Sequence, residues 1–114
     1  MKPLELAKKI AFQLKDNEYK LCSVITDKRG KILSIGVNSY KKTHPFMAQA
    51  AKKYGCAEKQ YLHSEIAALI ACKSKPYSIY TARVNRKGES QNAKPCEICE
   101  AVLKESNIKR IYYT

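Results

Sequence analysis

His63-Ser64-Glu65-Ile66-Ala67-Ala68-Leu69-Ile70-Ala71-Cys72-Lys73 is the stretch on which the reading of this chain turns. Ile66, Leu69 and Ile70 recur at helical spacing and predict one buried stripe on a helix over residues 63–73. A second helix is predicted over residues 95–106, and it opens on Pro95-Cys96-Glu97-Ile98-Cys99. Between the two, Tyr77 to Val84 reads as a strand, and Ile108 to Tyr113 as the last one. Asn85 to Asn92 is a polar excursion around Gly88. Working backwards, residues 19–27 and 31–37 are strands joined by the turn at Lys28-Arg29-Gly30, hence a hairpin. Residues 3–16 are helical, with Leu6, Ile10 and Leu14 every fourth position and Pro3 in the first turn. Residues 39–62 are polar, basic and aromatic, with a short helix expected around Phe46 to Lys53. A connection of that length in a small domain is usually functional or a lid. The resulting order is α-β-β-α-β-α-β, a class α/β arrangement with helices packed on the faces of a central sheet. The hairpin strands are antiparallel, and strands separated by a helix are expected to be parallel.

The 114 residues are one domain's worth, so residues 1–114 are read as a single domain. No apolar run is long enough to span a bilayer, and Met1-Lys2-Pro3-Leu4-Glu5 does not open a signal peptide, so a cytoplasmic location without membrane contact is expected. Five cysteines, an odd number, argue against a disulfide framework. Cys22 and Cys72 read as small core residues, and Cys56 has no assigned role. Cys96 and Cys99 form a CxxC pair, which in that compartment points to a metal or a redox couple. The net charge of +12 favours anionic partners, from nucleotides to polynucleotides, or is a solvated lysine surface.

Three protein ligands with one open position describe a catalytic zinc site, and four closed ligands a structural one. His63, Cys96 and Cys99 make three, and no partner CxxC exists to close a four-cysteine site. Cysteines at i and i+3 in a first turn share one face, where the helix dipole favours thiolates. Zinc would lower the pKa of a water in the open position. Glu65, two residues past His63, lies near the metal in a different direction, which suits a proton shuttle rather than a ligand.

With these residues the sequence resembles the zinc-dependent cytidine and deoxycytidylate (CMP/dCMP) deaminases, whose H-x-E…P-C-x-x-C signature it carries. His63-Ser64-Glu65-Ile66-Ala67-Ala68 looks like the family's helix start, and Ile108-Lys109-Arg110-Ile111-Tyr112-Tyr113 like the strand after its cysteine helix. The resemblance covers almost the whole chain and implies a cytidine-deaminase-like three-layer α-β-α sandwich with a mixed sheet. It implies a Zn2+ cofactor, hydrolytic deamination of a cytosine nucleotide or nucleoside, most simply dCMP to dUMP, and a homo-oligomer as a common assembly. Asn38 matches the family's strand-end asparagine, which implies a substrate contact. Three departures stand out. Ser64 replaces the more usual alanine and is counted with the substrate pocket. Arg86 to Lys94 is a longer connection, expected near the pocket. The chain stops at Thr114, where many members continue with a strand and a helix.

Other candidates rest on residue chemistry. Lys42, with Lys41, is a candidate for phosphate, His44 for phosphate or base, and Arg83 for phosphate. Tyr54, Tyr61 and Tyr80 are candidates for stacking on a base, with core packing the competing account of Tyr80. Two other functions compete. The same chemistry on cytosine or adenine in single-stranded DNA or RNA is favoured by the charge. A non-catalytic zinc module that binds nucleic acid or a protein is disfavoured by Glu65, which a structural site does not need.

Overall fold

The computed structural model describes residues 2–14, 20–39, 49, 52–53 and 63–114. The expected helix around Phe46 to Lys53, and Cys56, Tyr54 and Tyr61, lie outside the described residues except for Lys52, Lys53 and Gln49. The elements are α1 (Pro3–Phe12), β1 (Lys20–Thr26), β2 (Ile32–Val37), α2 (Ser64–Ala71), β3 (Ser78–Val84), β4 (Ser90–Gln91), α3 (Glu97–Glu105) and β5 (Arg110–Tyr113).

Five strands form one mixed sheet. β1 is antiparallel to β2 on one side and to β3 on the other. The far edge of β3 is shared: β5 runs parallel along Ser78 to Thr81, and β4 antiparallel along Arg83 and Val84. The expectation of parallel strands across helices holds for β3 and β5. β2 and β3 also run the same way, but β1 lies between them.

Side-chain alternation along β1 and β3 divides the core into two faces. Cys22, Val24, Ala82 and Val84 pack against Ala7 and Ala11 of α1. The small alanines let the helix sit close. Ile25 and Ile79 face the other way and pack with Ala68 of α2, Leu103 of α3 and Ile108. Helix, sheet and paired helices are therefore the three layers expected. Truncating one of the fully buried aliphatics, such as Ile79, would cost about 2–5 kcal/mol. Cys22 behaves as a small apolar residue, and burial pushes its thiol up to about 12. Cys72 sits at the edge of the core: it is half-buried, packs against the cluster of Ile25 and Leu103, and its thiol donates to the Ser74 carbonyl at 3.1 Å.

Two local devices position the site. Gly36 of β2 lies directly under α2, where a Cβ would come under 3.0 Å from the backbone of Ser64, Ala67 and Ala68. Glycine is what allows α2 onto the sheet, and Ser34 Oγ then donates to the Ala68 carbonyl at 2.7 Å. The second is the segment after β3. Asn85 Oδ1 accepts the N–H groups of Lys87 and Glu89, and Gly88, at φ 83, completes the turn into β4. The expected pocket loop is thus a short hairpin whose tip rests on Phe12 of α1.

Candidate metal and proton-transfer site

α2 and α3 begin side by side at one end of the sheet. His63 is the residue capping the start of α2 and Cys96 the one capping α3, and neither side chain makes a capping hydrogen bond. Such positions usually carry Ser, Thr, Asp or Asn that bond the first turn. Here the side chains turn towards each other. His63 Nδ1 lies 3.3 Å from Cys99 Sγ and 3.6 Å from Cys96 Sγ. The three ligand atoms lie within 4.8 Å of one another, and no other such cluster occurs among the described residues.

This donor set fits zinc. A tetrahedral ion about 2.3 Å from sulfur and about 2.0–2.1 Å from nitrogen separates its ligand atoms by roughly 3.5 Å, close to the spacing found. The Cys96 thiol is pushed down to about 3, chiefly by the Cys99 thiol, with burial opposing and His63 assisting. A cysteine so placed is a thiolate at neutral pH, as a metal ligand must be.

Glu65 stands outside the three-ligand group, one turn position into α2, and is 4% exposed. Burial pushes its carboxyl upward, while its own backbone N–H, the Ser64 hydroxyl and the charge on His63 pull it back. The Ser64 hydroxyl donates to Glu65 Oε1 at 3.0 Å, and Ser64 Oγ is 2.9 Å from Ser23 Oγ, itself 2.7 Å from Thr81 Oγ1. The hydroxyl of Ser64 thus points to the carboxylate and the sheet. Ser23 and Thr81 were not singled out in the sequence. Their signal was available in it: hydroxyls at positions whose same-face neighbours, Ile25 and Ile79, are aliphatic.

Asn38, 5% exposed at the end of β2, accepts the Leu21 N–H at its Oδ1 and donates its own N–H to the Leu21 carbonyl. Part of its role is therefore to pin β2 to β1. Arg83 projects from β3 to the same face as Thr81, two residues on, at the end of the sheet where α2 begins. Tyr80 projects to the opposite face and stacks on Tyr112 with ring centroids 4.9 Å apart, which removes it from base stacking in this site. Lys42 and His44 lie outside the described residues. No helix among the described residues is long and apolar enough to cross a membrane.

A second concavity, of about 430 Å3, opens at the other end of the sheet. Lys28, Arg29, Lys75 and Lys109 line it, together with Asp27. It contains none of the residues of the metal site.

Residues 2–114 match the model of a family described as the cytidine and deoxycytidylate deaminase zinc-binding region. Among solved structures, the dCMP deaminase of cyanophage S-TIM5 in its apo form aligns with a TM-score of 0.62 at 19% identity, over 97% of this chain and 78% of that one. A mutant of cytidine deaminase from Mycobacterium tuberculosis aligns with a TM-score of 0.51 at 16% identity, over 94% of this chain and 82% of that one. No curated protein sequence matches the chain. At these identities the structural likeness concerns the fold.

Proposed function

The chain belongs to the cytidine and deoxycytidylate deaminases, and from that premise we propose that it removes the amine of a cytosine nucleotide or nucleoside by hydrolysis, with dCMP to dUMP as the favoured reaction. The observation that carries the reading is the meeting of His63, Cys96 and Cys99 at two helix starts, with the buried carboxyl of Glu65 beside them.

His63, Cys96 and Cys99 would hold zinc, which when bound supplies a Lewis acid that makes water a nucleophile near neutral pH. Glu65 does the proton work. Its raised pKa suits a group that must both accept and return a proton near neutrality. It takes a proton from the attacking water, delivers it to the ring nitrogen next to the amine-bearing carbon, and carries the water's second proton to the departing amine. One water is consumed, its oxygen stays on the ring, and ammonia leaves. Asn38, at the end of β2, is assigned to the substrate as well. Arg83 and Lys42 are assigned to a phosphate and His44 to a phosphate or the base, Arg83 because it projects to the face of the sheet on which α2 packs.

The test is ammonia release from dCMP, CMP, deoxycytidine, cytidine and a short cytosine-containing single strand. The zinc-loaded protein and Glu65→Ala are compared. Turnover of one or more monomers, absent in the variant, is expected. Turnover of the strand alone would establish the polynucleotide alternative in its place, and no turnover by a folded, zinc-loaded chain would leave a binding module.

A further inference from the structure

Below Glu65 the structure holds a line of three buried hydroxyls. Thr81 and Ser23 are 0% exposed, Ser64 is 1% and Glu65 4%. The carboxylate at the end of the line fixes how it is wired. An ionised carboxylate only accepts, so the Ser64 proton goes to Glu65 Oε1. Ser64 Oγ then accepts from Ser23, and Ser23 Oγ from Thr81, since each hydroxyl has one proton to give. Bonds running head to tail polarise one another, and the sum falls on the oxygen of Glu65.

The arrangement meets a specific need. The terminal torsion of a glutamate is broad and has no sharp rotamer, so packing the chain does not orient its carboxylate plane. A proton shuttle, however, must present its oxygen within hydrogen-bond reach of the proton it moves. Polar side chains are also out of place between this sheet and α2, where Ile25, Ile79 and Ala68 show what the layer otherwise contains. The line Thr81, Ser23, Ser64 ends on the carboxyl, whereas Ser34, the other buried hydroxyl under α2, bonds the Ala68 carbonyl instead.

We propose that Ser64 is a positioning residue for Glu65, and that Ser23 and Thr81 hold Ser64 in the orientation that does it. The inference rests on Glu65 being the proton shuttle.

The experiment compares the zinc-loaded wild type with Ser64→Ala, Ser23→Ala, the double variant, Thr81→Val and Glu65→Gln. Alanine suits a first helical turn, so Ser64→Ala is expected to fold and keep its zinc. Its kcat on the monomer the wild type turns over falls about 10- to 100-fold, the scale of a misplaced catalytic group, with KM changed less than about twofold on the same argument. Ser23→Ala and Thr81→Val lower kcat less, and the double variant is no worse than Ser64→Ala alone, because the line then ends before Glu65. Crystal structures give a second readout that needs no turnover: one carboxylate orientation in the wild type, more than one in Ser64→Ala. An unchanged kcat in Ser64→Ala beside an inactive Glu65→Gln overturns the inference and leaves the deaminase reading standing. A single, unchanged carboxylate orientation in Ser64→Ala overturns it whatever the activity. A wild type inactive on every monomer counts against the deaminase reading, and the crystallographic comparison still decides the role of Ser64.

Discussion

Glu65 is the residue at which stability and chemistry pull apart. Its carboxyl is buried, and burial raises its folded-state pKa above the ordinary 4.5. A group with a raised folded-state pKa contributes fully below the unfolded value, and its contribution is lost as pH rises through the folded value. Ionisation of Glu65 is therefore opposed by the fold, and stability falls as pH rises through its folded-state value. Glu65→Gln keeps the shape without the charge. In zinc-free protein it should stabilise the chain by about 0.5–2 kcal/mol at pH 7, with the gain vanishing near pH 4, as thermal melts across that range would show. The same variant should bind zinc and release no ammonia. Cys99→Ala is the complementary case. It should leave less than one zinc per chain by elemental analysis, because two ligands do not hold the ion against a chelator. The meeting of His63, Cys96 and Cys99 was legible in the sequence because a zinc site demands those residue types at those spacings. The pairing of Ser64 with Ser23 was not, because residues 41 positions apart meet only through the packing of α2 on the sheet.

At the scale of elements, the site exists because two helices start at the same end of one sheet. Gly36 governs this for α2. A methyl group there meets backbone atoms of Ser64, Ala67 and Ala68, which cannot move aside as a flexible side chain would. Gly36→Ala should destabilise the fold by about 1–3 kcal/mol through overpacking. It should also displace the residues that bear His63 and Glu65, so zinc affinity and activity fall together. A denaturation curve paired with a zinc titration would check both, and loss of stability without loss of zinc would show that α2 adjusts without moving its first turn. The helices and the hairpin were readable from periodicity, since one face of each is buried. β4 was not, because Ser90 and Gln91 are exposed and carry no alternation. The position of β1 between β2 and β3 was equally hidden, because β1 is buried on both faces and its sequence does not state its neighbours.

Across the whole molecule, the charge of +12 is the feature that the site does not explain. Part of it is concentrated away from the metal ligands. Lys28, Arg29, Lys75 and Lys109 converge on the cleft at the amino-terminal ends of β3 and β5, whereas His63 and Cys96 lie at the opposite end of the sheet. The one carboxylate there, Asp27, is partly committed, since its Oδ1 accepts the N–H groups of Arg29 and Lys31 in its own turn. A single-stranded oligonucleotide should therefore bind through backbone charge at this end and leave the catalytic end open. Four such contacts give a log–log salt dependence of about 3, at roughly 0.7 per contact on single strands. The measurement is fluorescence anisotropy of a labelled oligothymidine at rising salt, alongside turnover of the monomer with the oligonucleotide present. Lys28→Glu, Arg29→Glu, Lys75→Glu and Lys109→Glu combined should abolish most binding and leave monomer turnover unchanged, whereas four reversals at Lys8, Lys9, Lys87 and Lys104 should weaken it less. Competitive inhibition of monomer turnover by the oligonucleotide, persisting in the cleft variant, would mean instead that the strand passes over Glu65, and would favour a polynucleotide as the substrate.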